Sequence, residues 1–66
     1  MFILIEIQTN GDQTALTPAK TYANAVDAMQ EYYTTLASAI KSTVQIHTVM
    51  VIAADGKIQA AKTFNH

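Results

Sequence analysis

Isoleucines at positions 3, 5 and 7 share one face of a predicted strand running from Met1 to Thr9, and Phe2, Leu4, Glu6 and Gln8 share the other. This apolar run reaches Asn10-Gly11, and a second apolar run, Val44 to Ala53, reaches Asp55-Gly56. Asn-Gly and Asp-Gly between apolar runs are strong hairpin signals, because type I′ turns need positive φ at both central residues. The first return segment, about Ala15 to Tyr22, contains Pro18, which lacks an N–H; it reads as an edge strand or as a loop leading to a helix. The second return segment runs from Lys57 or Ile58 to Phe64. A two-residue Asp55-Gly56 loop sets Ala54 opposite Lys57, Val49 opposite Lys62 and His47 opposite Phe64.

Between the hairpins, Ala25, Val26, Met29, Tyr32 or Tyr33, Leu36 and Ile40 recur at helical spacing, which predicts a helix over Asn24 to Ser42. Asn24 suits the N-cap, Asp27 favours the positive end of the macrodipole, and Lys41 falls in the expected last turn. Asp27, Gln30 or Glu31, Thr34 and Ser38 form the expected outer face. Placing the two most apolar strands centrally gives an α+β fold: ββαββ, a four-stranded antiparallel sheet of order 2-1-3-4 with one helix on one face. Neither face of this sheet is polar throughout. Val44, Ile46, Met50 and Ile52 share one face of the second hairpin, and Val49, Val51, Ile58 and Phe64 the other. One helix covers only one of them, so the pattern predicts a further partner, most simply a second copy of the chain.

Composition sharpens that expectation. The 66 residues form one domain, 1–66, and a chain this short buries only about 60% of its unfolded surface. Cysteine is absent, which excludes disulfides and thiolate metal sites, and oligomerisation is the remaining means of reinforcement. The charged fraction is 14% against ~25% in typical soluble domains, which points to an apolar contact patch. Four lysines, no arginine and a net charge of −1 argue against nucleic acid. Met1 to Ile5 lacks the basic start and the length of a signal peptide, and no stretch approaches the ~20 apolar residues of a membrane span. The expected location is cytoplasmic.

Few residues carry chemistry. His47 is the foremost candidate, with His66 expected diagonally from it at roughly 7–8 Å, a spacing from which a metal site shared across a dimer could be built. Two imidazoles fall short of the four ligands of structural zinc, so the plainer expectation is an interface histidine and a frayed terminus. Glu6 is a lone carboxylate in an apolar strand. It is a candidate general base without a partner nucleophile or second acid, and is more simply placed at a strand end, on a partly wet face, or paired with a lysine of a neighbouring strand. Tyr22, Tyr32 and Tyr33 read as core and rim packing, and the two glycine turns lack the spacing of phosphate or calcium loops. The expectation is therefore no catalytic residue, no metal and no cofactor.

Ile5-Glu6-Ile7-Gln8-Thr9-Asn10, Tyr32-Tyr33-Thr34-Thr35-Leu36-Ala37, His47, Asp55-Gly56 and the closing Phe64-Asn65-His66 resemble a group of short proteins of gut Firmicutes and their mobile elements. The resemblance spans nearly the whole chain and implies a setting, not an activity. Gln45 stands where the group tends to carry proline, and Tyr33 where it tends to carry histidine; both departures weaken a histidine-based site. The function expected is a non-catalytic, homodimeric protein-interaction module, such as an inhibitor or accessory factor encoded by a phage or mobile element. The alternative is a small-ligand-binding protein with a pocket at the dimer interface. The candidate interface or ligand residues are Phe2, Leu4, Glu6, His47, Val49, Val51 and Phe64.

Overall fold

A computed structural model describes residues 1–66. Its elements in chain order are strands β1 (Phe2–Asn10), β2 (Gln13–Leu16) and β3 (Lys20–Tyr22), helix α1 (Ala25–Ile40), and strands β4 (Ile46–Ala53) and β5 (Ile58–Asn65). The sheet is antiparallel in the order β2-β1-β4-β5, and β3 also pairs with β1. The fold is α+β, with the single helix on one face. The expected second strand is present in two pieces: β2 pairs with Ile7–Asn10 of β1, and β3 with Phe2–Leu4 of the same edge.

Pro18 lies at the division. Thr17 directs its N–H to β1, so Pro18 takes the outward position that an edge tolerates, and the pairing register shifts by one residue between the two pieces. Thr17 bridges the gap: its backbone N–H donates to the Glu6 carbonyl at 3.0 Å, and its Oγ1 accepts from the Glu6 N–H at 3.0 Å. A side chain thus replaces the ladder bond that the break removes.

The turns differ in type from the expected I′ form. Gly11 (φ 61°) and Gly56 (φ 90°) have positive φ, and no other residue does, so Asn10 and Asp55 lie outside the left-handed region. Asn10 pairs with Gln13, which makes Gly11-Asp12 the loop and places glycine first, as a type II′ turn requires. In the second hairpin Ala53 N–H donates to the Lys57 carbonyl and Gly56 N–H to the Ala53 carbonyl, which closes a three-residue loop with glycine last. The extra loop residue offsets the pairing by one, and Gln59 bulges between Ile58 and Ala60 to restore it. Val49 therefore faces Lys62 and His47 faces Phe64, as expected, while the expected pair Ala54–Lys57 is displaced to Ala53.

Helix α1 begins as expected. The Asn24 side chain accepts from the Asp27 N–H at 2.9 Å and donates to its carboxylate at 3.1 Å, satisfying an end group in the manner of a capping box. It ends two residues earlier than expected, and Lys41 is the C-cap and not part of the last turn. Its inward face also differs from the expected stripe. Ala28, Tyr32 and Ala39 are buried, with Met29 and Leu36 partly so, whereas Val26, Tyr33 and Ile40 are exposed. The two alanines bring the helix axis close to the sheet, which rotates the larger side chains at 26, 33 and 40 outward.

Candidate interaction surface and the Glu6–His47 pair

Strand alternation sorts the sheet residues into two faces. Beneath α1 lie Leu4, Val49 and Val51, all buried, together with Phe2, Phe64, Glu6 and His47. These are the seven candidate interface or ligand residues. The structure brings them together on one face, but it is the face that the helix covers. Phe2, Leu4, Val49, Val51 and Phe64 form the core of the molecule, so as a free interface they are replaced by the residues of the opposite side.

That opposite face is read from the pairings as successive rows across the sheet. Ile3 and Ile52 with Ile58 form one, Ile5 with Met50 and Ala61 the next, then Leu16, Ile7, Thr48 and Thr63, and finally Thr14, Thr9, Ile46 and Asn65. The threonines satisfy each other, Thr48 with Thr63 at 2.8 Å and Thr9 with Thr14 at 3.0 Å. No Lys, Asp or Glu stands on this face. Glu6, Lys20 and Lys62 oppose helix-side residues by register, Asp12, Asp55 and Lys57 lie in or beside turns, and Asp27, Glu31 and Lys41 belong to the helix and its cap. Leu16, Ile46 and Ile58 are exposed at 65%, 40% and 63%, so the face is open at its margins as well as apolar. A patch of this size and polarity is unusual on an isolated soluble domain.

Glu6 and His47 meet on the covered side. His47 Nε2 and Glu6 Oε1 lie 2.7 Å apart; with a carboxylate as partner, the ring nitrogen is the donor. His47 is 4% exposed and its Nδ1 has no hydrogen-bond partner. The Glu6 side chain keeps 23% of its exposure. Glu6 thus lies on a partly wet face, as expected, but in a central strand and not at a strand end, and its partner is a buried imidazole and not a lysine. No third His, Asp or Glu joins them in a group able to hold a metal. His66, expected to fray, is docked: its N–H donates to the Gln45 carbonyl at 2.8 Å and its Nε2 to the Ala39 carbonyl at 3.1 Å. Tyr32 is the core tyrosine. Burial, and secondarily the neighbouring Tyr33 phenol, push its pKa above the ordinary tyrosine value.

Sequence reasoning missed the shallow notch at the broken edge, where Leu4, Glu6, Thr17, Pro18, Ala19 and Lys20 enclose about 320 Å³. Only Pro18 signalled an irregular edge there. A second depression of about 400 Å³ lies on the outer helix between Ala25, Val26, Met29, Gln30 and Tyr33. No helix is long and apolar enough to cross a membrane. Compared with known protein families, curated proteins and solved structures, the chain has no significant match.

Proposed function

We propose that the protein is a non-catalytic interaction module that works as a homodimer, two copies packing their open sheet faces together. The observation that carries this reading is the uncharged, isoleucine-rich face opposite the helix. Its size supports the same reading. The molecule's longer dimensions are 34 and 21 Å, which give its broad side an area on the order of the ~800 Å² per partner of a stable interface. The occupant is a second copy because a face without charges offers no electrostatic code for a charged partner, whereas flat apolar sheets pack readily on their like at ~10 Å. In the mobile-element setting that the resemblance implies, the proposed role is inhibitory or accessory, with binding itself the activity.

Size-exclusion chromatography with light scattering tests this. The expected result at micromolar concentration is a mass twice the 7.2 kDa of the chain, falling to the monomer value in Met50→Lys. A stable wild-type monomer under those conditions overturns the reading.

A further inference from the structure

The Glu6–His47 pair raises a question that the dimer leaves unanswered. A 66-residue domain has little core to spare, and a buried polar pair contributes less to stability than apolar side chains of the same volume. Here the pair sits among Leu4, Val49 and Val51, and one imidazole nitrogen has no partner. What the arrangement does achieve is to fix a carboxylate. Oε1 of Glu6 is held by His47, while Oε2 makes no hydrogen bond within the chain and the side chain borders the edge notch.

The notch has a second charge at its rim. Lys20 opposes Leu4 by register, which makes it a diagonal neighbour of Glu6 on the helix side of the sheet. Its ammonium lies 3.6 Å from Glu31, but both side chains are substantially exposed (61% and 35%), and such surface pairs are readily exchanged. Thr17 adds a hydroxyl: Oγ1 already accepts from the Glu6 N–H, which leaves its own O–H free to donate. Leu4, Pro18 and Ala19 supply an apolar wall. The notch falls where the edge strand is interrupted between β2 and β3 and carries one residue more than β1 opposite it.

We propose that this notch binds a small zwitterion of the α-amino-acid type. The ammonium sits on Glu6, the carboxylate reaches Lys20 and the Thr17 hydroxyl, and a small apolar side chain lies against Leu4 and Pro18. Both charges are required by the site: Lys20 repels a simple cation, and Glu6 repels a simple anion. The cavity of about 320 Å³ has room for an amino acid. The site lies on the helix side within one chain, so it stands independently of the open-face dimer.

The test is an NMR titration of the ¹⁵N-labelled full chain with L-alanine and L-leucine, with methylammonium and acetate as half-ligands, each to ~10 mM, enough to saturate a site of ~1 mM Kd. Saturable shifts confined to the amides of Glu6, Thr17, Ala19 and Lys20 are expected for the amino acids, with each half-ligand at least ~10-fold weaker. Glu6→Gln preserves an acceptor for His47 and should abolish binding. Lys20→Ala, a surface change that leaves the core untouched, should weaken the amino acids ~5-fold or more and leave methylammonium unweakened. Absence of saturable shifts, equal response to acetate, or unchanged affinity in Lys20→Ala would overturn the proposal, and the last of these holds even if Glu6→Gln does not fold.

Discussion

At the scale of single residues, the energetics of Glu6 and His47 are asymmetric. Truncating Glu6 leaves the His47 imidazole buried without a partner, whereas removing both leaves only apolar contacts. Glu6→Leu should therefore cost about 1–3 kcal/mol in urea unfolding, because both imidazole nitrogens are then unsatisfied. Glu6→Leu combined with His47→Leu should recover most of that loss. A double variant as unstable as the sum of two costly single changes would show that the pair is not a coupled unit. Tyr32 makes a different prediction. Its pKa is raised in the folded chain, chiefly by burial, so the folded state retains the phenolic proton more firmly than the unfolded state. The associated stability is complete below the ordinary value of 10.0 and is lost as pH rises from there through the folded pKa. Unfolding followed from pH 8 upward should show a fall in stability above about pH 10 that is smaller in Tyr32→Phe.

At the scale of elements, the second hairpin shows how far local pattern reaches. The pairings Val49–Lys62 and His47–Phe64 were legible from alternation and the Asp55-Gly56 signal, yet the assumed loop was one residue too short. The two departures compensate: a three-residue loop shifts the ladder, and the Gln59 bulge shifts it back. Turn geometry is decided by backbone dihedrals at Gly56, which a dipeptide signal does not distinguish between I′ and a type I turn with a left-handed third residue. Gly56→Ala tests this reading. A Cβ there meets nothing within 4 Å, so the cost is backbone strain alone, about 1–2 kcal/mol, and Gly56→Asn should cost less. An alanine variant as stable as the parent would show that the turn relaxes to another form. That β1 and β4 are antiparallel neighbours followed from placing the two most apolar strands centrally, but their register was beyond local reasoning. It is set by a helix and two connections and not by a tight turn, so nothing in the sequence numbers Glu6 against Val49 and hence brings it to His47. A lone acid and a lone histidine in two apolar central strands were nevertheless a usable signal, since buried polar groups seek partners.

The whole molecule is two-sided. The helix, by virtue of Ala28 and Ala39, lies close on one face and seals it; all the charged side chains belong to that side or to the periphery. The helical periodicity could not reveal which face would be sealed, because Phe2 and Leu4 are as apolar as the isoleucines they alternate with. If two copies share their open faces, folding and association are linked, and the thermal midpoint should rise with protein concentration. Met50→Lys places a charge in the middle of that face, opposite Ile5 and Ala61. It should abolish the concentration dependence while circular dichroism reports an intact helix and sheet, since Met50 is not part of the core. A wild-type midpoint independent of concentration over a hundredfold range would count against the linked dimer.

The break at Pro18 has a consequence for growth. A sheet molecule with two continuous rims is a bifunctional monomer: each unit adds to the next and polymerisation has no natural end. In this chain one rim is in two short pieces, β2 and β3, separated by a residue that cannot donate, while the other rim is β5, continuous from Ala60 to Asn65 beyond the Gln59 bulge. Along the hydrogen-bonding direction the molecule is monofunctional. Two copies that met rim to rim would leave only interrupted rims outward, and growth along the hydrogen-bonding direction would terminate at a pair.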